Sequence, residues 1–186
     1  TGKWVIAPSF LEVGIFSEKV STYRNAASWG TINTEGKVVA EAKWEKIKNF
    51  SGGVAIAESA GKQYLIFPNG ELAYPEGLEK ILRLKEGFYL VENNSKTGLL
   101  NSLGKPILPI TFDQILVENK DFFVVSKEGL SGVMRANGDV FLPLQYAAVA
   151  IDWNEQKVLV KSLDQMVENP EPSPVQAPQV KRKKGA

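Results

Sequence analysis

Carboxylates recur at a fixed step in this chain, and paired carboxylates are what a glycoside hydrolase needs. Glu45, Glu79 and Asp113 lie 34 residues apart, and Glu58 and Glu92 repeat the step. Two such groups about 5–9.5 Å apart would suit acid–base or nucleophilic attack on a glycosidic bond. The regularity argues the other way. A catalytic pair needs two unlike environments that push its pKa values apart. A carboxylate that returns once per step instead reads as an acceptor for turn amides or as a solvated side chain. Ser59-Ala60-Gly61-Lys62 matches Ser-x-x-Lys. That pairing requires a buried lysine, and this tetrapeptide reads as a polar turn between strands. Gly52-Gly53 precedes a strand and does not open a helix, so it is no phosphate loop. Histidine and cysteine are both absent. The commonest general base and metal ligand, disulfides and thiolate metal sites go with them. No catalytic, cofactor-binding or metal-ligating residue is assigned, and no cofactor is expected.

The step itself is the stronger signal. Gly2, Gly36, Gly70, Gly104 and Gly138 fall 34 apart with no insertion. Eight residues after each stand Phe10, Trp44, Leu78, Phe112 and Tyr146; eleven after stand Val13, Ile47, Ile81, Ile115 and Val149. Four before stand Ile32, Ile66, Leu100 and Met134. Asn69-Gly70 and Asn137-Gly138 predict type I′ hairpins, whose two central residues both need positive φ. The flanks "GTIN" and "KVVA", "GLLN" and "PILP", "GVMR" and "DVFL" read as strands. The short apolar runs "VAIAE", "FYLVE", "FFVVS" and "KVLVK" read as buried strands by their β-branched and aromatic content. Each repeat is thus a meander of three or four antiparallel strands that cannot bury its own apolar face, so neighbours must stack.

The expected fold is all-β, with about five 34-residue meanders over residues 1–168. A compact propeller-like ring is favoured over an open twisted stack. The Ile32 column next falls at position 168, two residues past Met166 in the segment "DQMVEN", and a strand there would complete the first unit and hide both edges. Trp4 and Trp44 sit in apolar columns and are expected in the core. Residues 169–186 are Pro-rich and basic-ended, and read as a disordered or extended tail. Removing the four bases and three acids after residue 163 from the chain's 22 and 21 leaves 18 of each. A neutral folded part is not a nucleic-acid binder. No run approaches the roughly 20 apolar residues of a membrane helix. A start at Thr1-Gly2-Lys3 without Met reads as a trimmed product.

The second unit resembles the bacterial WG repeat, also called the KWG repeat. It carries Trp29-Gly30, Gly36-Lys37-Val38-Val39, Trp44-Glu45, Ile47 and Phe50-Ser51-Gly52-Gly53. The fourth unit keeps Gly98, Gly104-Lys105, Pro109 and Phe112-Asp113, and the fifth keeps Gly132, Gly138, Pro143 and Tyr146. The tryptophan column departs, reading Trp29, Gln63, Thr97 and Ser131, and Tyr64 replaces the paired glycine in the third unit. The resemblance covers roughly residues 2–162. It implies a binding or scaffold role in a cell-envelope or secreted protein and supplies no catalytic residues.

Large aromatics that break polar columns mark candidate contacts. Trp153 stands against Ser17, Ser51, Lys85 and Asn119, and Trp29 against Gln63, Thr97 and Ser131. Exposed tryptophan is enriched where partners bind; for Trp29 the competing reading is the family's packing residue. Lys181, Arg182, Lys183 and Lys184 form a basic end that reads as solvated, or else would dock on anionic lipid, nucleic acid or an acidic partner. The expected function is a non-catalytic scaffold or accessory subunit binding a protein partner. It would act in an extracytoplasmic, cell-envelope assembly of a bacterium, with peripheral association and no transmembrane segment. A carbohydrate-binding module presenting an exposed Trp to a glycan is the alternative, and a hydrolase the least favoured reading.

Overall fold

A computed structural model describes residues 10–85 and 87–164, together with the backbone of Ser173–Gln176. Gly2, Trp4, the Met166 closing strand and Lys181 to Lys184 lie outside the described residues. The chain is all-β, built from repeated antiparallel sheets. It divides into two compact units that meet in sequence at Ile110 and Thr111.

The first unit holds three meanders. One runs β1 (Glu12–Val13), β2 (Val20–Asn25), β3 (Ser28–Asn33) and β4 (Val38–Trp44), in that order across the sheet. The next has β5 (Lys46–Ile47), β6 (Ala55–Ser59) and β7 (Lys62–Ile66). The third has β8 (Lys80–Arg83), β9 (Tyr89–Asn93), β10 (Lys96–Leu100) and β11 (Pro106–Phe112). In the second unit, β12 (Gln114–Val117), β13 (Phe122–Lys127), β14 (Leu130–Arg135) and β15 (Val140–Tyr146) form one sheet. The other has β16 (Ala148–Asp152), β17 (Lys157–Lys161) and β18 (Ser173–Gln176). First strands start at residues 12, 46, 80, 114 and 148, so the sequence step is the structural step. Within the Pro-rich tail, β18 is extended and pairs antiparallel with β17.

No meander owns its core. Trp44, Ile47, Phe50, Ala57 and Ile66, with Val20 and Trp29, pack between the first and second sheets. Val54, Ile56, Leu65, Leu78, Tyr89, Val91 and Leu100 pack between the second and third. Phe122, Val124, Val133, Leu142, Val158 and Val160 fill the space within the second unit. Covered on both faces, β13 buries four consecutive residues, whereas the outer β4 alternates. That is why the central strands read as continuous apolar runs.

The step glycines close the hairpins differently from the type I′ expectation. Gly70 has φ 82° and Gly138 φ 88°, but Asn69 and Asn137 are not left-handed. The Gly70 N–H donates to Phe67 C=O at 2.9 Å, and Phe67 N–H to Glu71 C=O at 2.9 Å. This is a type I turn followed by one left-handed glycine, a three-residue loop with a bulge. A single positive φ suffices, and the Asn69 and Asn137 side-chain carbonyls instead accept the N–H groups of Glu71 and Asp139. The two-residue turns with paired positive φ lie in the preceding hairpin, at Ala60-Gly61, Asn94-Ser95 and Glu128-Gly129. Ser59 to Lys62 is therefore the polar turn expected.

The glycine of the Trp-Gly pair has a different duty. A Cβ on Gly30 would lie 2.5 Å from Ala40 O, and one on Gly132 2.6 Å from Leu142 O. Bulges interrupt the β3–β4 and β14–β15 registers at these two glycines. Where Tyr64 replaces this glycine, the fourth strand is reduced to two isolated bridges, Gln63 to Leu78 and Ile66 to Leu72. Gly77 stands against the displaced ring: a Cβ there would meet Tyr64 Cζ at 2.6 Å.

Candidate interaction site

The recurring carboxylates hold turns. Glu45 Oε1 accepts the Ala60 N–H at 2.9 Å, and Asp113 Oδ2 accepts the Glu128 N–H at 2.6 Å. Both donors are the first left-handed residue of a two-residue turn 15 positions on. Glu79 pairs with Lys62 at 3.8 Å, and Glu92 with Lys80 at 3.4 Å. Glu58 accepts from Gln63 Nε2 at 3.2 Å. Among the described residues no group of three His, Cys, Asp or Glu is placed to hold a metal ion. No helix among them is long and apolar enough to cross a membrane.

Trp29 is half-buried, packed on the core between the first two sheets, with the Arg24 guanidinium 5.9 Å from its ring centre. Trp153 is also half-buried, where its polar column led us to expect exposure. Its indole N–H donates to Glu118 Oε2 at 3.1 Å, and its ring lies 5.9 Å from that of Phe122. The acceptor is 35 residues upstream. Trp44 is in the core, 6% exposed, as expected.

The turn joining first and second strands reaches the same turn of the next repeat. Ser17 Oγ donates to Phe50 C=O at 2.9 Å. The Glu18 carboxylate accepts the N–H groups of Gly52 at 2.7 Å and Gly53 at 2.8 Å. Glu18 and Lys19 have φ of 54° and 67°, although neither is glycine; the matching pair one step on is Gly52-Gly53. Each such residue costs roughly 1–2 kcal/mol, so the clasp holds a strained turn in place. The Gly53 and Gly52 amides hold the Glu18 carboxyl below its ordinary 4.5; burial opposes them, and the Arg83 charge adds the smallest contribution in their favour. A lowered carboxyl contributes stability above its unfolded value and loses it as pH falls through the folded one. Glu18→Gln should therefore flatten the acid limb of the stability curve just below pH 4.5. Exposure keeps the effect to a few tenths of a kcal/mol. Matched urea titrations of the two proteins at pH 7 and pH 3.5 would show it; an equally steep acid limb in the variant would sink the idea.

Among the described residues of the first unit, two clefts bear on a binding role. One, about 400 Å³, is lined by Tyr74, Glu76, Asn93, Pro106, Pro109 and Ile110, with Tyr74 and Glu76 in the segment where the fourth strand is lost. The other, about 270 Å³, lies beside the Gly52-Gly53 turn, with Lys48, Asn49 and Arg83 among Ile56, Ile81 and Tyr89. Burial raises the Tyr89 phenol above its ordinary 10.0. These cations were missed in the sequence reading, yet they break their columns as Trp153 does.

The meander with its bulged Trp-Gly strand is also the unit a known family describes. Residues 29–62 and 98–130 match the family of the WG containing repeat. These two segments are WG repeats. No curated protein matches the chain. Among solved structures it is similar to Hsv2p of Kluyveromyces lactis, at 13% identity and a TM-score of 0.32, over 82% of this chain and 57% of that one. It is likewise similar to the N-terminal domain of Nup159, at 12% identity and a TM-score of 0.35, over 82% and 52%. A eukaryotic initiation factor aligns at 13% identity and a TM-score of 0.36, over 77% and 46%. The chain spans about half the length of these structures.

Proposed function

We propose that this WG-repeat chain is a non-catalytic scaffold or accessory subunit that binds a protein partner. The observation that carries the reading is the use made of its recurring carboxylates. Glu45 and Asp113 are spent on turn amides, and Glu79 and Glu92 on cross-strand lysines. Glu45 and Asp113 thus fix turns of the frame, while the exposed lysine pairs occupy Glu79 and Glu92 and add little to its rigidity. Loops that differ from unit to unit are left to present distinct surfaces on that frame. The family resemblance supports placing it in an extracytoplasmic, envelope-associated assembly of a bacterium. The glycan reading has less support, because a sugar platform needs a free indole and Trp153 is engaged by Glu118 and Phe122.

Affinity capture from the native host, followed by mass spectrometry, tests this. One stoichiometric protein partner is expected, retained less well by a chain lacking residues 177–186, which leaves β18 and Trp153 in place. Capture of no partner, alongside a clear hit on a glycan array, would overturn it.

A further inference from the structure

The cleft beside Gly52-Gly53 carries charges that the repeat frame does not call for. The counterparts of Lys48 in the other units are Gly14, Leu82, Leu116 and Ala150. Those of Arg83 are Ile15, Asn49, Val117 and Ile151. Two cations therefore stand in columns that are otherwise almost wholly apolar, and both line one cleft of about 270 Å³. Neither makes an ion pair among the described residues. Both are exposed, and the cleft's apolar wall includes Ile56, Ile81, Leu82 and Tyr89. Of these, Leu82 keeps 48% of its surface in water, whereas Ile56, Ile81 and Tyr89 are buried.

The neighbouring turn shows which anion suits this place. Gly52 and Gly53 already hold a carboxylate, that of Glu18, on their two N–H groups. Arg83 Nη2 lies 3.7 Å from where a Cβ on Gly52 would sit, so Arg83 and the clasped carboxylate share one field. Among the described residues, Lys48 and Arg83 set against Glu18 leave a single positive charge. One further carboxylate neutralises it. A phosphate monoester, with about −1.5 to −2 charges at pH 7, overshoots it. The apolar wall requires that the carboxylate arrive on an aliphatic carrier.

We propose that this cleft receives an acidic side chain flanked by an aliphatic residue in an extended segment of a protein partner, with Lys48 and Arg83 taking the carboxylate and the exposed Leu82 taking its aliphatic neighbour. The inference rests on the protein-binding reading above and gives that partner its chemistry.

The test uses the ¹⁵N-labelled full chain and three capped tripeptides: acetyl-Leu-Glu-Leu-amide, its Gln analogue and its phosphoserine analogue. The Glu peptide should move the amide signals of Ile81 to Arg83 and Ile56, with affinity about tenfold above that of the Gln peptide, as expected for a charge-assisted contact. Lys48→Gln and Arg83→Gln should each erase most of that preference while leaving the remaining signals in place. Equal binding of the Glu and Gln peptides overturns the proposal, as does a preference that survives both substitutions. Tighter binding of the phosphoserine peptide overturns it in favour of a phosphate site. If the native partner is captured equally by Lys48→Gln and Arg83→Gln, the scaffold reading stands and this cleft falls. If no partner is captured while the Glu preference holds, the scaffold reading alone falls.

Discussion

Gly30→Ala is expected to destabilise the first unit by about 3 kcal/mol, more than any substitution of a hairpin glycine. The new methyl carbon would sit 2.5 Å from Ala40 O, 2.6 Å from Tyr23 Cε1 and 2.8 Å from Ala42 N. Two of these are backbone atoms of β4, which cannot swing aside without breaking the β3–β4 ladder. The third belongs to a tyrosine only 2% exposed, with no space to retreat into. The penalty is therefore steric and shared with the neighbouring strand. At Gly36 the reason for glycine is different. Its φ is 76°, so Gly36→Ala costs the left-handed penalty of roughly 1–2 kcal/mol. Urea denaturation of both variants under one set of conditions decides the order. A larger loss for Gly36→Ala would mean that β4 can yield at Gly30.

Leu65→Ala should cost about 3–4 kcal/mol, by loss of buried methyl groups and by the cavity they leave. Leu65 is fully buried and belongs to the core between the second and third sheets, with Leu78, Tyr89, Val91 and Leu100. Because that core is shared, the damage should not stay in β7. Amide exchange should quicken in β6 and in β9 and β10 together, since adjoining repeats stabilise one another through their common interface. Leu82→Ala, at a side chain 48% exposed, is the control and should stay within about 0.5 kcal/mol of the parent. A loss below about 1 kcal/mol at Leu65, or faster exchange confined to β7, would show that the meanders are stabilised separately.

Much of the frame is legible without coordinates. A 34-residue step fixes where each meander begins, because every strand of a repeat must return to the same place to stack. The buried runs Phe122–Lys127 and Ala55–Ser59 are readable because a strand covered on both faces has no polar side to alternate with. The periodic carboxylates are readable as frame residues for a related reason: Glu45 and Asp113 recur because the turns they hold recur. Lys48 and Arg83 were also within reach, as polar residues in apolar columns, had the test applied to Trp153 been applied to charge.

What resists reading is whatever depends on two strands meeting. Asn69-Gly70 carries the dipeptide of a two-residue turn, yet strand pairing sets a three-residue loop, and only the glycine becomes left-handed. Gly30 looks like one partner of an aromatic motif until β4 is laid across it. Tyr64 looks like a lapse in the repeat until Gly77 is found against its ring. Trp153 reads as exposed by its column, but Glu118 and Phe122 reach it from the preceding repeat. By itself the sequence determined the period, the strands and the faces they bury, since these follow from local propensity and from the need of each meander for a neighbour. Only the tertiary structure decided turn type, close approach and the partners of Glu18 and Trp153, because those depend on distances between residues that the chain separates by a full repeat.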